Sequence, residues 1–429
     1  MRIFEHSEAA YGDTLAALAD RGDSDLARVE PVVAAILAEV RSGGDRALVS
    51  ITERVDGRRP EPLAYERPAL EQAYETLAEP ARSALELAAR RVRALHELQR
   101  DRGQRVTDAD GVELGWRIRP LERVGVYAPG GKARYPSSVL MAAIPARVAG
   151  VREVYVTSPR PTQEVLAAAF LSGVDRVFDL GGAVAVGALA YGTETVPRVD
   201  KIVGPGNLFV TAAKKLVFGR VAVDGLAGPS EILVVADDDA DPVVVAADLL
   251  SQAEHDEAAY PLLVTLSRAM AERVTAEVAR QLAALPRRAV AEASVREHGY
   301  AFVTGTLEEA ARVATVLAAE HLALLVRDPE ALLGSIGAAG AAFLGDFTPE
   351  AAGDYLAGPS HVLPTGGAVR FSSPLGVYDF VTRTSVIRYT RESLARHADA
   401  IVTLARLEGL EAHARAVLAR TEGAGRSDR

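Results

Sequence analysis

The stretch Arg123-Val-Gly-Val-Tyr-Ala-Pro-Gly-Gly131, continued by Pro136-Ser-Ser-Val-Leu-Met-Ala-Ala-Ile144, decides the fold. Residues 123–128 form a short apolar run that reads as a strand, and Pro129-Gly-Gly131 is turn chemistry. Residues 136–149 then read as a helix. The same unit recurs as 153–157 with 162–171, and as 176–180 with 183–191. Residues 199–203 lead through Gly204-Pro-Gly-Asn207 into a helix reaching Val217. Strand and helix alternating at this pitch predict βαβ units around a parallel sheet.

A second set begins at Glu231-Ile-Leu-Val-Val-Ala236, with a helix expected from Pro242 to about His255. Further strands are expected near 262–266, 300–304, 322–326 and 340–344. Residues 26–55 and 66–104 read as largely helical, and Leu85, Ala88, Val92 and Leu95 mark a buried stripe. The tail, 381–418, reads as mostly helical and arginine-rich with little strand signal, and 423–429 as a frayed end. The expected class is therefore α/β: two incomplete Rossmann-like parallel-sheet domains, an N-terminal helical arm and a C-terminal helical dimerisation tail. The expected boundaries are 1–25 for the arm, 26–122 with 231–380 for a discontinuous large domain, 123–230 for an inserted nucleotide-binding domain, and 381–429 for the tail.

Composition narrows the function. The chain has 429 residues, 49% hydrophobic and 25% charged, enough for two or three cores. A formal net charge of −10, with no basic stripe, argues against a nucleic-acid surface. There is no cysteine, which excludes disulfides, thiolate metal sites and a cysteine nucleophile. Met1-Arg-Ile-Phe-Glu-His6 lacks the layout of a signal peptide, and no run has the length of a membrane span. A cytoplasmic protein without membrane association is the expectation.

Several polar residues stand where they are costly to bury without purpose. Gln252 and His255, in Ser251-Gln-Ala-Glu-His-Asp256, are three apart at the end of an apolar helical run, so amide oxygen and imidazole can converge on one point. Glu320-His321 lies between an apolar helix and a strand, as an acid/base pair or as a structural cap. Asp354 and His361 share the loop segment Gly353-Asp-Tyr-Leu-Ala-Gly-Pro-Ser-His361. Glu408 and His413 lie on the tail, where charge pattern alone gives a solvated helix face. A Gln, two His and an Asp would make a nitrogen/oxygen set suited to zinc without cysteine. No GxGxxG follows any strand, but Pro129-Gly-Gly131, Gly181-Gly182 and Gly204-Pro-Gly-Asn207 offer backbone N–H groups to a phosphate, or simply punctuate the chain.

Taken in order, these motifs resemble the histidinol dehydrogenase family. The resemblance runs from Gly115-Trp-Arg-Ile-Arg-Pro120 to His413. It is carried by Tyr127-Ala-Pro-Gly-Gly131, Tyr135-Pro-Ser-Ser-Val-Leu-Met141, Lys201-Ile-Val-Gly-Pro-Gly-Asn207 and Ala227-Gly-Pro-Ser-Glu231. It continues through Asp248-Leu-Leu-Ser-Gln-Ala-Glu-His255, Glu320-His-Leu322, Gly353-Asp-Tyr355, His361-Val-Leu-Pro-Thr365 and Arg370-Phe-Ser-Ser-Pro-Leu375. The resemblance implies a homodimer with one zinc per subunit that oxidises L-histidinol to L-histidine, through the aldehyde, with two NAD⁺. By the same carry-over the zinc ligands would be Gln252, His255, Asp354 and His413, residues that also face substrate together with Ser230, His321, His361 and Glu408. Glu408 and His413 would cross from the partner subunit. Tyr127 and Asn207 would contact NAD⁺. His321 would be the base for the alcohol, and Glu320 would activate water on the aldehyde, in agreement with the missing thiol.

Three departures from the family pattern stand out. Val184 replaces an amide in Gly181-Gly-Ala-Val-Ala185, a lost cofactor contact worth about 1 kcal/mol. Ala319 replaces a proline before Glu320, and Ser360 an asparagine before His361. Two rival readings follow: a related NAD-dependent dehydrogenase of another small alcohol, such as a sulfopropanediol, and a catalytically silent zinc- and nucleotide-binding regulator.

Overall fold

The computed structural model describes residues 1–21, 26–130 and 135–421. Gly131 of the first Gly-rich turn and the terminal 423–429 stretch lie outside the described residues. The chain divides into two units, Met1–Arg100 with Leu121–Phe380, and Asp101–Pro120 with Val381–Arg429.

The first unit holds two six-stranded sheets. In spatial order one runs Ala64–Glu66, Arg176–Phe178, Glu153–Thr157, Arg123–Tyr127, Lys201–Val203 and Ala222–Val223. All neighbours are parallel except the edge strand Ala64–Glu66, which is antiparallel to Arg176–Phe178. The other sheet runs Arg2–Glu5, Tyr300–Val303, Tyr260–Thr265, Glu231–Ala236, His321–Leu325 and Ala341–Leu344, parallel throughout. Its central strand Glu231–Ala236 is buried along its whole length, as strands covered on both faces must be.

Local chemistry explains the elements. Asn207, Asp241, Ser267 and Thr306 each accept a backbone N–H at the start of their helices. Gly150 and Gly173 end the helices Pro136–Ala149 and Gln163–Ser172 in the left-handed conformation that a glycine adopts without strain. Helices cover both faces of each sheet. One apolar layer of the first sheet includes Val33, Leu37, Leu48 and Ile51, so the helical segment 26–56 packs on the sheet built around 123–127. No described helix is long and apolar enough to cross a membrane.

The second unit differs from the sequence reading. Val381–Arg388, expected to lack strand, is an eight-residue strand antiparallel to Glu113–Pro120, which pairs in turn with Gln104–Thr107. Nearly every position of Gln104–Thr107 and Val381–Arg388 is exposed or half-exposed. Ribbons of this kind bury too little to show an apolar alternation, which is why the pattern was silent. Arg391–Leu407 and Glu411–Thr421 are helical as expected, and Val402, Ala405 and Ala414 pack between them.

Candidate active site

In a parallel sheet a helix runs back against its strand, so the end of each helix returns to the amino edge of the sheet. Pro242–Ala253 follows the strand Glu231–Ala236 and thereby brings Gln252 back beside that strand's first residues. The helix stops at Ala253, two residues short of the sequence expectation, and His255 sits in the turn beyond, where its N–H bonds the Gln252 carbonyl. His321 opens the neighbouring strand, with Ile232 opposite it in the ladder. The helix Leu307–Leu317 ends three residues before Glu320, so neither Glu320 nor His321 caps it.

Around His321 the chain assembles an unusual density of buried carboxylates. The imidazole Nδ1 stands 2.9 Å from the Glu231 carbonyl, 3.3 Å from a Glu350 carboxylate oxygen and 3.7 Å from that of Glu320. With Nδ1–H donating to the Glu231 carbonyl, Nε2 is left as the basic atom. It lies 3.7 Å from Asp354 and has no hydrogen-bond partner. Burial pushes the Glu320 carboxyl up to about 8 and that of Glu350 up to about 7. Burial works against a charged His321, yet the carboxylates of Glu320, Asp354 and Glu350 outweigh it and raise the imidazole. Asp354 is penalised by burial but is held below the usual carboxylate range by His321, His361 and His255. His255 and His361 are both lowered, first by burial, although Asp354 opposes the shift.

These mutual effects bring five sequence-predicted residues together: His255, Glu320, His321, Asp354 and His361. His361 is held on both sides, its Nδ1 3.0 Å from the Asp354 carbonyl and its Nε2 3.2 Å from the Ser138 hydroxyl. Ser360 is buried beside it, its hydroxyl accepting the Val362 N–H. Gln252 is fully buried, and both of its amide atoms lack a partner. An amide desolvated in this way costs free energy unless something binds it. A cleft of about 720 Å³ opens onto Ser230, Glu320 and His361, and Gly204, Pro205 and Gly206 form another part of its wall.

The other predicted positions fall elsewhere. Tyr127 ends its strand, its ring is buried, and its hydroxyl accepts the Gly182 N–H. Asn207 caps the helix Leu208–Val217 with its carboxamide oxygen, leaving the NH₂ group uncommitted to the cap. Gly204 between them has φ +113°, and a Cβ there would lie 2.1 Å from the Tyr127 carbonyl oxygen, so only glycine fits. Val184 belongs to the apolar layer around Tyr127 and Phe178. Its place in the core accounts for an apolar residue there. Glu408 and His413 lie exposed in the second unit, at the end of Arg391–Leu407 and on Glu411–Thr421.

Three participants escaped the sequence reading. Glu231 is a charge at the head of a fully apolar strand, and that mismatch was the available signal. Glu350 begins a six-residue helix, where an acid passes as an ordinary first-turn residue. Arg21, paired with Glu231 across 210 positions, leaves no local mark.

Among the described residues, His321, Glu350 and Asp354 offer ligand atoms within 4.8 Å of one another. Only Asp354 is shared with the expected zinc set. The donors fit a dication in two respects: a buried unpartnered amide at Gln252, and carboxyl groups clustered around His321 that a dication would hold in their ionised form.

Asp248, one turn before Gln252, is also buried, and burial raises its carboxyl to about 6. A raised carboxyl stabilises the fold while protonated, an effect complete below the ordinary value of 3.8 and lost as pH rises through about 6. Asp248→Asn is therefore expected to raise the unfolding temperature at pH 8 by a few degrees over the unsubstituted protein and to leave it unchanged near pH 4. Thermal scans at the two pH values check this, and an equal shift at both would refute it.

The chain matches the family model described as histidinol dehydrogenase over residues 19–421. It is 52% identical over 423 residues to the histidinol dehydrogenase of Syntrophotalea carbinolica, covering 97% of this chain and 98% of that protein. It is 50% identical over 432 residues to that of Geobacter metallireducens, covering 99% of each. The crystal structure of histidinol dehydrogenase from Elizabethkingia anophelis has a TM-score of 0.93 at 31% identity, covering 98% of both chains.

Proposed function

The chain belongs to the histidinol dehydrogenase family, and on that premise we propose that it oxidises L-histidinol to L-histidine in two steps, using two NAD⁺ and one zinc per subunit. The observation that carries this reading is the meeting of His255, Glu320, His321, Asp354 and His361 beside a cleft lined in part by Glu320 and His361. An amino alcohol is cationic, and carboxyl groups that a cation would hold ionised suit such a substrate as well as a dication.

Zinc is assigned to Gln252, His255 and Asp354, with His413 from a second copy as the fourth ligand. Bound there, the ion would orient the substrate imidazole and amino group. NAD⁺, the hydride acceptor for both oxidations, is assigned to the carboxyl edge of the first sheet, near Tyr127 and Asn207. Ser230 and His361 would fix the substrate within the cleft. His321 Nε2, once deprotonated against the carboxylates that raise it, would take the alcohol proton, its ring orientation being set by the Glu231 carbonyl. Glu320 would then take a proton from the water that attacks the aldehyde, a role suited to a carboxyl raised toward neutrality. No thiol is available to hold the aldehyde covalently.

The fourth ligand and Glu408 require a homodimer. Exposed Leu404, Leu407 and Leu410 flank Glu408 on the tail, an apolar surface suited to docking against a second copy.

The test is direct. Protein supplied with zinc, NAD⁺ and L-histidinol is expected to yield two NADH and one histidine per histidinol. No turnover would sink the reading, and turnover of a different alcohol alone would select the rival dehydrogenase.

A further inference from the structure

We infer that the buried Arg21–Glu231 ion pair is a positioning device for Glu320, and that it acts on the second oxidation more than on the first. The inference rests on the function proposed above.

The strand ladder explains why such a device is needed. Pairing between the strands 231–236 and 321–325 begins at Ile232 opposite His321. Glu231 and Glu320 lie one step before it and are not paired with each other in that ladder, although Glu231 stands opposite Tyr260 on its other side and the Glu320 carbonyl accepts the Ala341 N–H. The Glu231 carboxylate supplies the missing step by accepting the Glu320 N–H at 3.3 Å, while the Glu231 N–H donates to a Glu320 carboxylate oxygen at 2.9 Å. The same carboxylate accepts the Gly366 N–H at 2.6 Å, tying in the loop that carries His361.

Arg21 fixes that carboxylate in turn. Its Nε and one terminal nitrogen grip the two oxygens at 3.0 and 2.6 Å, a two-point contact that sets orientation as well as distance. The remaining donors reach the Leu18 and Leu317 carbonyls, so both helices flanking the site brace the guanidinium. Both side chains are almost wholly buried, at 2% and 1% exposed. Neither faces the cleft, so the pair would act only through Glu320 and the His361 loop.

A pair that served stability alone would change the folded fraction and scale both oxidations together. A positioning pair changes their ratio. For Glu231→Gln we expect aldehyde oxidation to fall roughly 100-fold, as a displacement near 1 Å can cost. Alcohol oxidation should stay within about tenfold, and KM for each substrate within about threefold, on the same reasoning about geometry rather than binding. NADH per histidinol should then drop from two toward one as the aldehyde escapes. Arg21→Lys keeps the charge but loses the two-point grip, and it should move the ratio in the same direction by less.

Because the ratio is read only on folded molecules, it stays informative for a poorly folding variant. Val274→Ala, a core truncation away from the site, is the control for lost stability and should leave the ratio at two. A ratio of two in both Glu231→Gln and Arg21→Lys would overturn the inference. Failure of the unsubstituted protein to oxidise histidinol would instead overturn the proposed function.

Discussion

Glu320→Gln is expected to separate the two oxidations. The glutamine keeps the size of the side chain and still offers an oxygen to the Glu231 N–H, which lies 2.9 Å from the carboxylate. It cannot take a proton from water. Loss of a positioned general base costs about 10²- to 10⁴-fold, and that cost should fall on aldehyde oxidation. Alcohol oxidation, assigned to His321, should survive within about tenfold. Substitution also removes one of the carboxylates that raise His321, so the acid limb of the first oxidation, where protonation silences that base, should move to lower pH. Stopped-flow absorbance with an aldehyde trap would show one fast NADH followed by released aldehyde. An equal fall in both steps would remove Glu320 from the role given to it.

His255→Ala is expected to have the other large effect, on metal content. His255 sits half-buried in the turn after Ala253, so its truncation should spare the fold. Outer-shell changes at metal sites cost about 10- to 100-fold in affinity, and loss of a direct ligand should exceed that. Elemental analysis after gel filtration should find less than about a tenth of the metal held by the unsubstituted protein, with turnover lost in parallel. Glu350→Gln discriminates between the two donor sets, because Glu350 belongs only to the cluster with His321 and Asp354. Retained metal in Glu350→Gln together with lost metal in His255→Ala supports the Gln252, His255 and Asp354 set. The reverse pattern would move the ion to the His321 cluster.

Most inner strands and helices of the two six-stranded sheets were legible because they bury continuous apolar runs bounded by glycine, proline or a capping residue. The short edge strands Arg2–Glu5, Ala64–Glu66 and Ala222–Val223 were missed, the first of them within what reads as a helical arm, because they bury too little to leave a pattern. Residues 123–127, 153–157 and 231–236 form strands where the pattern put them. The ribbon 381–388 was not legible, because its exposed positions leave burial almost no pattern to read. Candidate site residues were legible as polar side chains in places that usually reject them, Gln252 and Glu320-His321 foremost.

What the sequence determined by itself was the class of fold, the family and a set of candidate site residues, since all three are written in short-range spacing. Which sheet the helical segment 26–56 covers was decided only by tertiary packing. So was the choice of the amino edge of the second sheet as the meeting place of its polar residues. That edge follows from helix ends returning to strand beginnings, a property of the folded layers and not of any one segment. Arg21 and Glu231 make the same point, because an ion pair across 210 positions has no sequence period. It exists only where folding removes both charges from water and leaves each as the other's partner.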